Sequence, residues 1–368
     1  MPTPTVVRRA LDVVRRGVRA DELWRPGELV LLACSGGIDS IAAWALLAEL
    51  RPSLGHRLQV AWVDHGLRSD QTEVSAALSA CAEWTGVPYI TLTAAIAPAA
   101  PDQEANARVA RYGSLRRCAA QLGAEVIATA HHADDVAETV LMRVTRGAGV
   151  GAQGAIPRRN REIVRPLLGL CRRDLEAVAA ALGLAYVEDP GNADPRHERN
   201  RWRREVLPVM ERVRPGAAAG LQRSARHAAS AGRALNHWLE AAVAPHLRPL
   251  PEGEGSASAG GYLLPRALWP DDPDALGALL LLLAQRLEVP APPARGVHQI
   301  SAWLRASDRG AEVRVHGLRL WQRGDDLAVA ATKVAPTASD TYLGDVRPKT
   351  LADGAKVRGD GDRTRSAG

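Results

Sequence analysis

The sequence predicts an α/β protein: an N-terminal doubly wound parallel sheet, a long connecting helix and a small α+β C-terminal domain. Three observations carry this. Between residues 29 and 182, apolar runs of strand length alternate with stretches of helical spacing, the pattern of successive βα units. Residues 221–244 then hold one uninterrupted helical pattern. Beyond it, 312–315 and 318–321 flank His316-Gly317, a hairpin signal. At 368 residues the chain has room for two or three domains. The expected divisions are 1–215 for the sheet domain, 216–246 for the linker helix, 247–334 for the small basic domain and 335–368 for a polar, disordered tail.

Val6, Leu11, Val14 and Val18 lie near helical spacing with arginines between them, which predicts a surface helix packed on the sheet. Leu29 to Ala33 is an apolar run between Pro26-Gly27 and Gly36-Gly37, a buried strand. Ser35, Gly36, Gly37, Ile38, Asp39 and Ser40 turn it into a helix over 41–50. The two glycines let the backbone bend and bring its N–H groups close to a ligand. Hydroxyls at both ends and a helix N-terminus favour an anion. Asp39 sets a carboxylate beside that anion, which suits a bridging Mg²⁺. A kinase-type phosphate loop needs a lysine to reach the outer phosphates. The lysines of this chain are Lys333, Lys349 and Lys356, so γ-phosphoryl transfer of that type is not expected.

The second strand, 58–63, exits into Asp64-His65-Gly66-Leu67-Arg68, where open α/β sheets bind ligands, so Asp64 and His65 are candidates for a nucleotide's base or ribose. A helix over 72–85 and a strand over 89–92 follow, then a Pro/Ala loop and a helix over 104–118. That helix carries Arg108 and Arg111 three apart on one face. The fourth strand, 125–130, opens into His131-His132-Ala133-Asp134-Asp135-Val136-Ala137-Glu138-Thr139. Helical spacing brings Asp134, Asp135 and Glu138 together. One such carboxylate would be a helix cap, whereas three with two histidines point to a site. Adjacent histidines chelate one zinc ion poorly, so Mg²⁺ held by carboxylates and phosphates is the preferred metal.

Residues 143–151 form a Gly-rich turn, 163–168 an extended segment, 174–182 a helix and 187–192 a loop. Residues 197–214 are the most basic stretch, with Trp202 inside it, a composition that suits RNA backbone contact. The 221–244 helix reads as a rigid spacer. After it come helices near 274–287 and 297–306 and strands at 312–315, 318–321 and 327–330, with Arg295, His298, Arg305, Arg309, Arg314 and Arg319 making the module basic.

The net charge of +6, from 47 Lys and Arg against 41 Asp and Glu, permits a nucleic-acid partner without demanding one. Cys34, Cys81, Cys118 and Cys171 are dispersed with no CxxC pair, which argues against a zinc ribbon or redox dithiol and fits a reducing cytoplasm. The N-terminus has no signal-like apolar core, and 276–287, the most apolar stretch, is too short to cross a membrane and reads as a core helix.

Taken together, the motifs resemble the tRNA(Ile)-lysidine synthetase family of PP-loop ATP-pyrophosphatases. The matching pieces occur in the family's order: SGGIDS at 35–40, VDHGLR at 63–68, EANARVARY at 104–112, HHADDVAET at 131–139, RGAG at 146–149, RPLL at 165–168 and RNRWRREVLP at 199–208. The resemblance implies a Rossmann-like PP-loop domain with ATP and Mg²⁺ as cofactors, and a tRNA(Ile) with a CAU anticodon and free L-lysine as partners. A homodimer is left open, and no membrane is involved. It further implies that ATP adenylates the C2 carbonyl oxygen of the wobble cytidine and lysine then displaces AMP. Residues 35–40 with Asp64 and His65 would bind ATP and pyrophosphate, and Asp39 the metal. Asp135 and Glu138 match catalytic acidic positions that attract the lysine ammonium and accept its proton. Arg111 would support the cytidine or adenylate, and Arg199, Arg201 and Arg203 the tRNA or its phosphates. The rivals are a tRNA thiolase, which the absence of CxxC disfavours, a small-molecule amide-forming synthetase, which needs no basic stretch at 199–204, and a nucleotide-binding RNA-binding protein without turnover.

Overall fold

Both polar clusters of the N-terminal half meet at the C-terminal ends of the central strands of a six-stranded sheet. The computed structural model describes residues 3–64, 70–93, 103–147, 154, 156–188, 198–251, 260–306 and 312–332, which belong to one compact unit, Met1–Val334. His65 to Arg68, Ala148 and Gly149, residues 189–197, Arg309 and the expected tail 335–368 lie outside the described residues.

The sheet comprises β1 (Leu29–Cys34), β2 (Arg57–Asp64), β3 (Tyr89–Thr93), β4 (Val126–Ala128), β5 (Arg159–Asn160) and β6 (Ile163–Val164), in the order β3-β2-β1-β4-β6-β5. All neighbouring pairs are parallel except β5–β6. The chain winds outward from β1 through β2 to β3, then returns to the other side of β1 as β4. The crevice between the C-terminal ends of β1 and β4 is therefore the topological switch point, where such sheets bind ligands. Helices α1 (Thr5–Ala20), α2 (Ile38–Leu54), α3 (Gln71–Thr85), α4 (Gln103–Leu122), α5 (Ala133–Thr145) and α6 (Arg172–Leu182) accompany the strands. Val30, Leu31 and Leu32 of β1 are fully buried, as expected for a strand covered on both faces. Helix α2 is apolar around most of its circumference and buries Ile41, Trp44, Leu46, Leu47 and Leu50. One face of α1 buries Val7, Ala10, Leu11, Val14 and Val18 against the same core.

Two boundaries differ from the sequence reading. Helix α2 starts at Ile38, so Asp39 and Ser40 sit in its first turn rather than in the loop. The fourth strand ends at Ala128; Thr129 still donates its N–H to the Val164 carbonyl, and the chain then turns into α5 at Ala133. The basic stretch 197–214 is helical from Glu198 to Val213, as α7 (Glu198–Arg201), a π-helical turn (Trp202–Val206) and α8 (Leu207–Val213). Pro208 explains the π-helical turn: it has no N–H to give to the carbonyl four residues back, and its ring displaces the preceding turn.

Helix α9 (Ala217–Val243) follows, then β7 (Arg248–Pro249), β8 (Gly261–Pro265), α10 (Pro273–Arg286), α11 (Ala294–Arg305), β9 (Val313–Val315), β10 (Leu318–Arg323) and β11 (Asp326–Ala331). The strands form an antiparallel sheet in the order β7-β8-β11-β10-β9. The expected hairpin is present, with His316 and Gly317 both at positive φ, 45° and 84°, as its tight turn requires. Strands β7 and β8 carried no clear signal, since Pro249, Gly261 and Pro265 are poor strand formers. Gly261 is needed there because a Cβ would lie 2.8 Å from the Val329 carbonyl oxygen. Helix α10 buries Leu276, Leu279, Leu280, Leu282 and Leu283 in a second core with Ile300, Leu320, Leu327 and Val329. No helix among the described residues is long and apolar enough to cross a membrane.

Helix α9 joins two small clusters on α5 at its near end and the second core at its far end. Leu221 and Ala225 pack against Val136, Ala137, Val140 and Leu141 of α5, while Leu239 and Val243 join the second core.

Candidate active site

The loop after β1 is shaped by its own side chains. Gly36 adopts φ 82°, and a Cβ there would lie 2.7 Å from Val74 Cγ1, so only glycine fits. Ser40 Oγ accepts from the Ser35 N–H at 3.1 Å and donates to the Gly37 carbonyl at 2.8 Å. Its hydroxyl therefore closes the loop, while Ser35 is exposed. The Val187 N–H clamps the loop from outside by donating to the Gly36 carbonyl at 3.0 Å. The first N–H groups of α2, at Ile38 and Asp39, have no intrahelical acceptor and face an anion's position. Gly36→Ala is expected to disrupt the loop: about 2–4 kcal/mol of strain from positive φ and overpacking, and loss of nucleotide binding, read by thermal melting with and without ATP.

The loop borders a cavity of about 580 Å³ at the switch point, the size range of small-molecule sites. Ala61, Trp62 and Val63 of β2 line one side; Thr129, His131 and Asp135 line another; Arg111, Tyr112, Arg172 and Arg204 contribute polar and aromatic groups. Asp64, expected at this mouth, instead accepts a hydrogen bond from Gln71 Nε2 at 2.9 Å and is not among the lining residues. Arg111 and Arg108 lie over the Tyr112 ring, at 5.6 and 5.1 Å from its centroid.

Asp39 is central. Its Oδ2 accepts from Arg172 Nη1 at 3.1 Å and lies 3.6 Å from His132 Nε2. Its Oδ1 is buried with no hydrogen-bond partner. An orphaned carboxylate oxygen beside phosphate-facing amides fits a hard divalent cation that takes its other ligands from phosphate and water. Among the described residues no three His, Cys, Asp or Glu side chains cluster as a metal site, so such an ion would depend on the phosphates.

The start of α5 holds the second cluster. His132 precedes it: Asp135 Oδ2 reaches back to accept from the His132 N–H at 2.8 Å, the carboxylate half of a capping box, while Nδ1 lies 3.4 Å from Asp134 Oδ2. Burial opposes charge on His132, but Asp134, Asp39 and Asp135 around the ring outweigh it and push its pKa up to about 10. Asp135 shows the converse: burial raises its pKa, but His132 and Arg199 hold it down to about 2. His131 faces the other way. Burial dominates and lowers it to about 3, leaving a neutral ring whose Nδ1 meets Thr129 Oγ1 at 2.8 Å.

These shifts fix a pH profile. The folded pKa of His132 lies above the ordinary value near 6.5, so its contribution is complete below about pH 6.5 and is lost as pH rises through about 10. Asp135 contributes above about pH 4, and its share is lost as pH falls through about 2. Urea midpoints are expected to fall from about pH 7 to pH 10, and His132→Gln should flatten that decline. An unchanged slope in the variant would refute the assignment.

Asp135 and Glu138 do not stand free. Arg199 Nη2 donates to Asp135 Oδ1 and Arg199 Nε to Glu138 Oε2, both at 2.6 Å. Arg203 Nε donates to Glu138 Oε1 at 2.5 Å, and its Nη2 reaches Asp135 Oδ1 at 3.3 Å. Glu138 is fully buried between them. Arg201 points elsewhere, 62% exposed and 3.6 Å from Glu205. The sequence assigned Asp135 and Glu138 to lysine and Arg199 and Arg203 to the tRNA or its phosphates; in the structure the two sets are paired with one another. It missed Arg172, whose N–H also donates to Asp134 Oδ2 at 2.6 Å, and the segment Tyr186 to Glu188. The signal for Arg172 was its place one strand beyond β4, at the N-terminus of a helix returning to the switch point.

Residues 5–210 match the family described as PP-loop domain. A tRNA(Ile)-lysidine synthase of Salinispora tropica is 39% identical over 67% of this chain and 75% of its own length. One from Thermobifida fusca is 36% identical over 72% of this chain and 78% of its own, and one from Geobacter sulfurreducens 37% identical over 66% and 54%. Among solved structures, a U34-tRNA thiolase of Methanococcus maripaludis aligns with TM-score 0.51 at 19% identity, over 61% of this chain and 80% of its own, a likeness of fold.

Proposed function

This chain belongs to the tRNA(Ile)-lysidine synthase family of PP-loop proteins, and on that premise we propose that it ligates free lysine to C2 of the wobble cytidine of a CAU-anticodon isoleucine tRNA. The observation that carries the reading is the meeting of an anion-binding loop and an acidic cluster on one cavity at the switch point. In the first step the cytidine O2 attacks the α-phosphorus of ATP, and the bond to the β-phosphate oxygen breaks. The amides at 36–39 would hold the leaving pyrophosphate, and Asp39 Oδ1 would hold Mg²⁺, which would offset charge on the phosphates. In the second step the lysine ammonium passes a proton to one carboxylate of the Asp135–Glu138 pair, the free amine attacks C2, and the C2–O bond to AMP breaks with the electron pair leaving on AMP. Asp135 and Glu138 attract the ammonium, and that two guanidinium groups already rest on them supports a cation-binding role. Arg111 beside the cavity supports the cytidine or the adenylate. The reaction draws on tRNA, ATP and lysine, all cytoplasmic.

Thiol chemistry is the poorer reading. Cys34 borders the cavity, but burial pushes its pKa up to about 11, and Cys81 is likewise raised to about 12, so neither is an activated nucleophile. The test is tRNA-dependent pyrophosphate release together with incorporation of labelled lysine. Release with tRNA but sulfur rather than lysine incorporated would favour the thiolase reading, and release without tRNA a small-molecule synthetase.

A further inference from the structure

Helix α9 carries a basic stripe that the cavity chemistry does not use. At 100° per residue, Arg223, Arg226, His227, Arg233, His237 and Trp238 fall on one side of the helix, opposite Leu221, Ala225, Leu239 and Val243, and all six are exposed. Trp238 is 71% exposed. Among the described residues none of the three arginines forms a salt bridge, whereas the arginines at the acidic cluster are all paired. The sole carboxylate of the helix, Glu240, lies at the edge of the stripe and is engaged by Arg286 of α10. Burial is the main reason the Arg158 pKa is lowered, and Arg226 adds to that shift, which places the two positive charges near each other. Ala, Ser and Gly fill most positions between, so nothing bulky shields the charges.

We propose that this face of α9 binds the phosphate backbone of the tRNA substrate, with Trp238 as a stacking platform at its far end. The inference rests on the reading of the chain as a tRNA-modifying enzyme and adds a surface to it. From Arg223 to Trp238 the stripe runs about 22 Å. Unpaired arginines at such spacing suit successive phosphates, and an exposed indole suits an unstacked base or a ribose edge. The near end is locked to the site, because Leu221 and Ala225 pack on α5, the helix that holds Asp135 and Glu138. RNA seated on the stripe is thereby held at a fixed distance from those carboxylates.

The test is tRNA affinity as a function of salt for the full chain and for Arg223→Gln/Arg226→Gln/Arg233→Gln. The triple variant is expected to bind tRNA about 10- to 100-fold more weakly at moderate salt, with the slope of log K against log salt smaller by about 2–3. ATP binding should stay within about twofold, and an Arg→Lys triple should restore the slope, since charge is what the phosphates read. Trp238→Ala should weaken binding by about tenfold or more with the slope unchanged. If wild type binds and modifies tRNA while the triple Gln variant keeps its affinity and slope, the surface is wrong and the activity stands. If the triple variant keeps tRNA affinity but changes sedimentation, the face joins protein copies, which also overturns the proposal. If wild type does not bind tRNA at all, the functional reading itself fails.

Discussion

Glu138→Gln is expected to lower lysine incorporation by at least about 10²-fold, while the variant still folds. Glu138 is fully buried and accepts from Arg199 and Arg203 together, so the amide leaves one guanidinium contact without its charge. Breaking a buried pair costs about 3–5 kcal/mol. Here the Arg199 side chain is 37% exposed, and solvent screening brings the expected loss nearer about 2 kcal/mol. Stability and catalysis can be separated. Glu138→Gln/Arg203→Gln removes the uncompensated charge and should recover part of the melting temperature but none of the activity. Recovery of activity in the double variant would mean that Glu138 only holds the arginines.

Asp39→Ala should abolish tRNA-dependent pyrophosphate release, by about 10²–10³-fold, with a small effect on folding, because the side chain is a quarter exposed and sits at the surface of the cavity. The same change removes one of the carboxylates that keep His132 charged. The alkaline loss of stability should therefore begin at lower pH in the variant, a readout independent of turnover. Asp39→Asn keeps a partner for Arg172 but not the charge that a divalent cation needs. Pyrophosphate release by Asp39→Asn at the wild-type rate would sink the metal role while leaving the Arg172 contact intact.

Much of this site was legible because its chemistry is local in sequence. SGGIDS announces a strand-to-helix turn, and HHADDVAET announces a capped acidic helix, each from one contiguous stretch. Their adjacency followed from the βα alternation, since β1 and β4 flank the switch point in this strand order. The pairing of Arg199 and Arg203 with Asp135 and Glu138 could not be read the same way. It depends on where the helical segment 198–213, with its π-helical turn, is laid down, more than 60 residues downstream, as set by packing of Leu207 against Ala137 and Leu141. Ser40 shows a subtler gap: its hydroxyl was expected at an anion and instead closes its own loop. The short strands β5, β7 and β8 were invisible because two-residue pairings and Pro- or Gly-containing strands have no periodicity to detect.

The span of α9 from the clusters on α5 to the second core has a consequence for how the molecule comes apart. A helix with no proline between Ala217 and Val243 melts as a unit, and its two ends anchor different clusters. Loss of either cluster strips the other of a wall, so unfolding should show a single calorimetric transition whose van't Hoff and measured enthalpies agree. A proteolytic cut within 217–243 would release two pieces that each present a raw apolar edge, one at Val136 and Leu141 and the other at Leu276 and Leu280. The linker helix is then a shared beam, and the unit Met1–Val334 is expected to denature as one body.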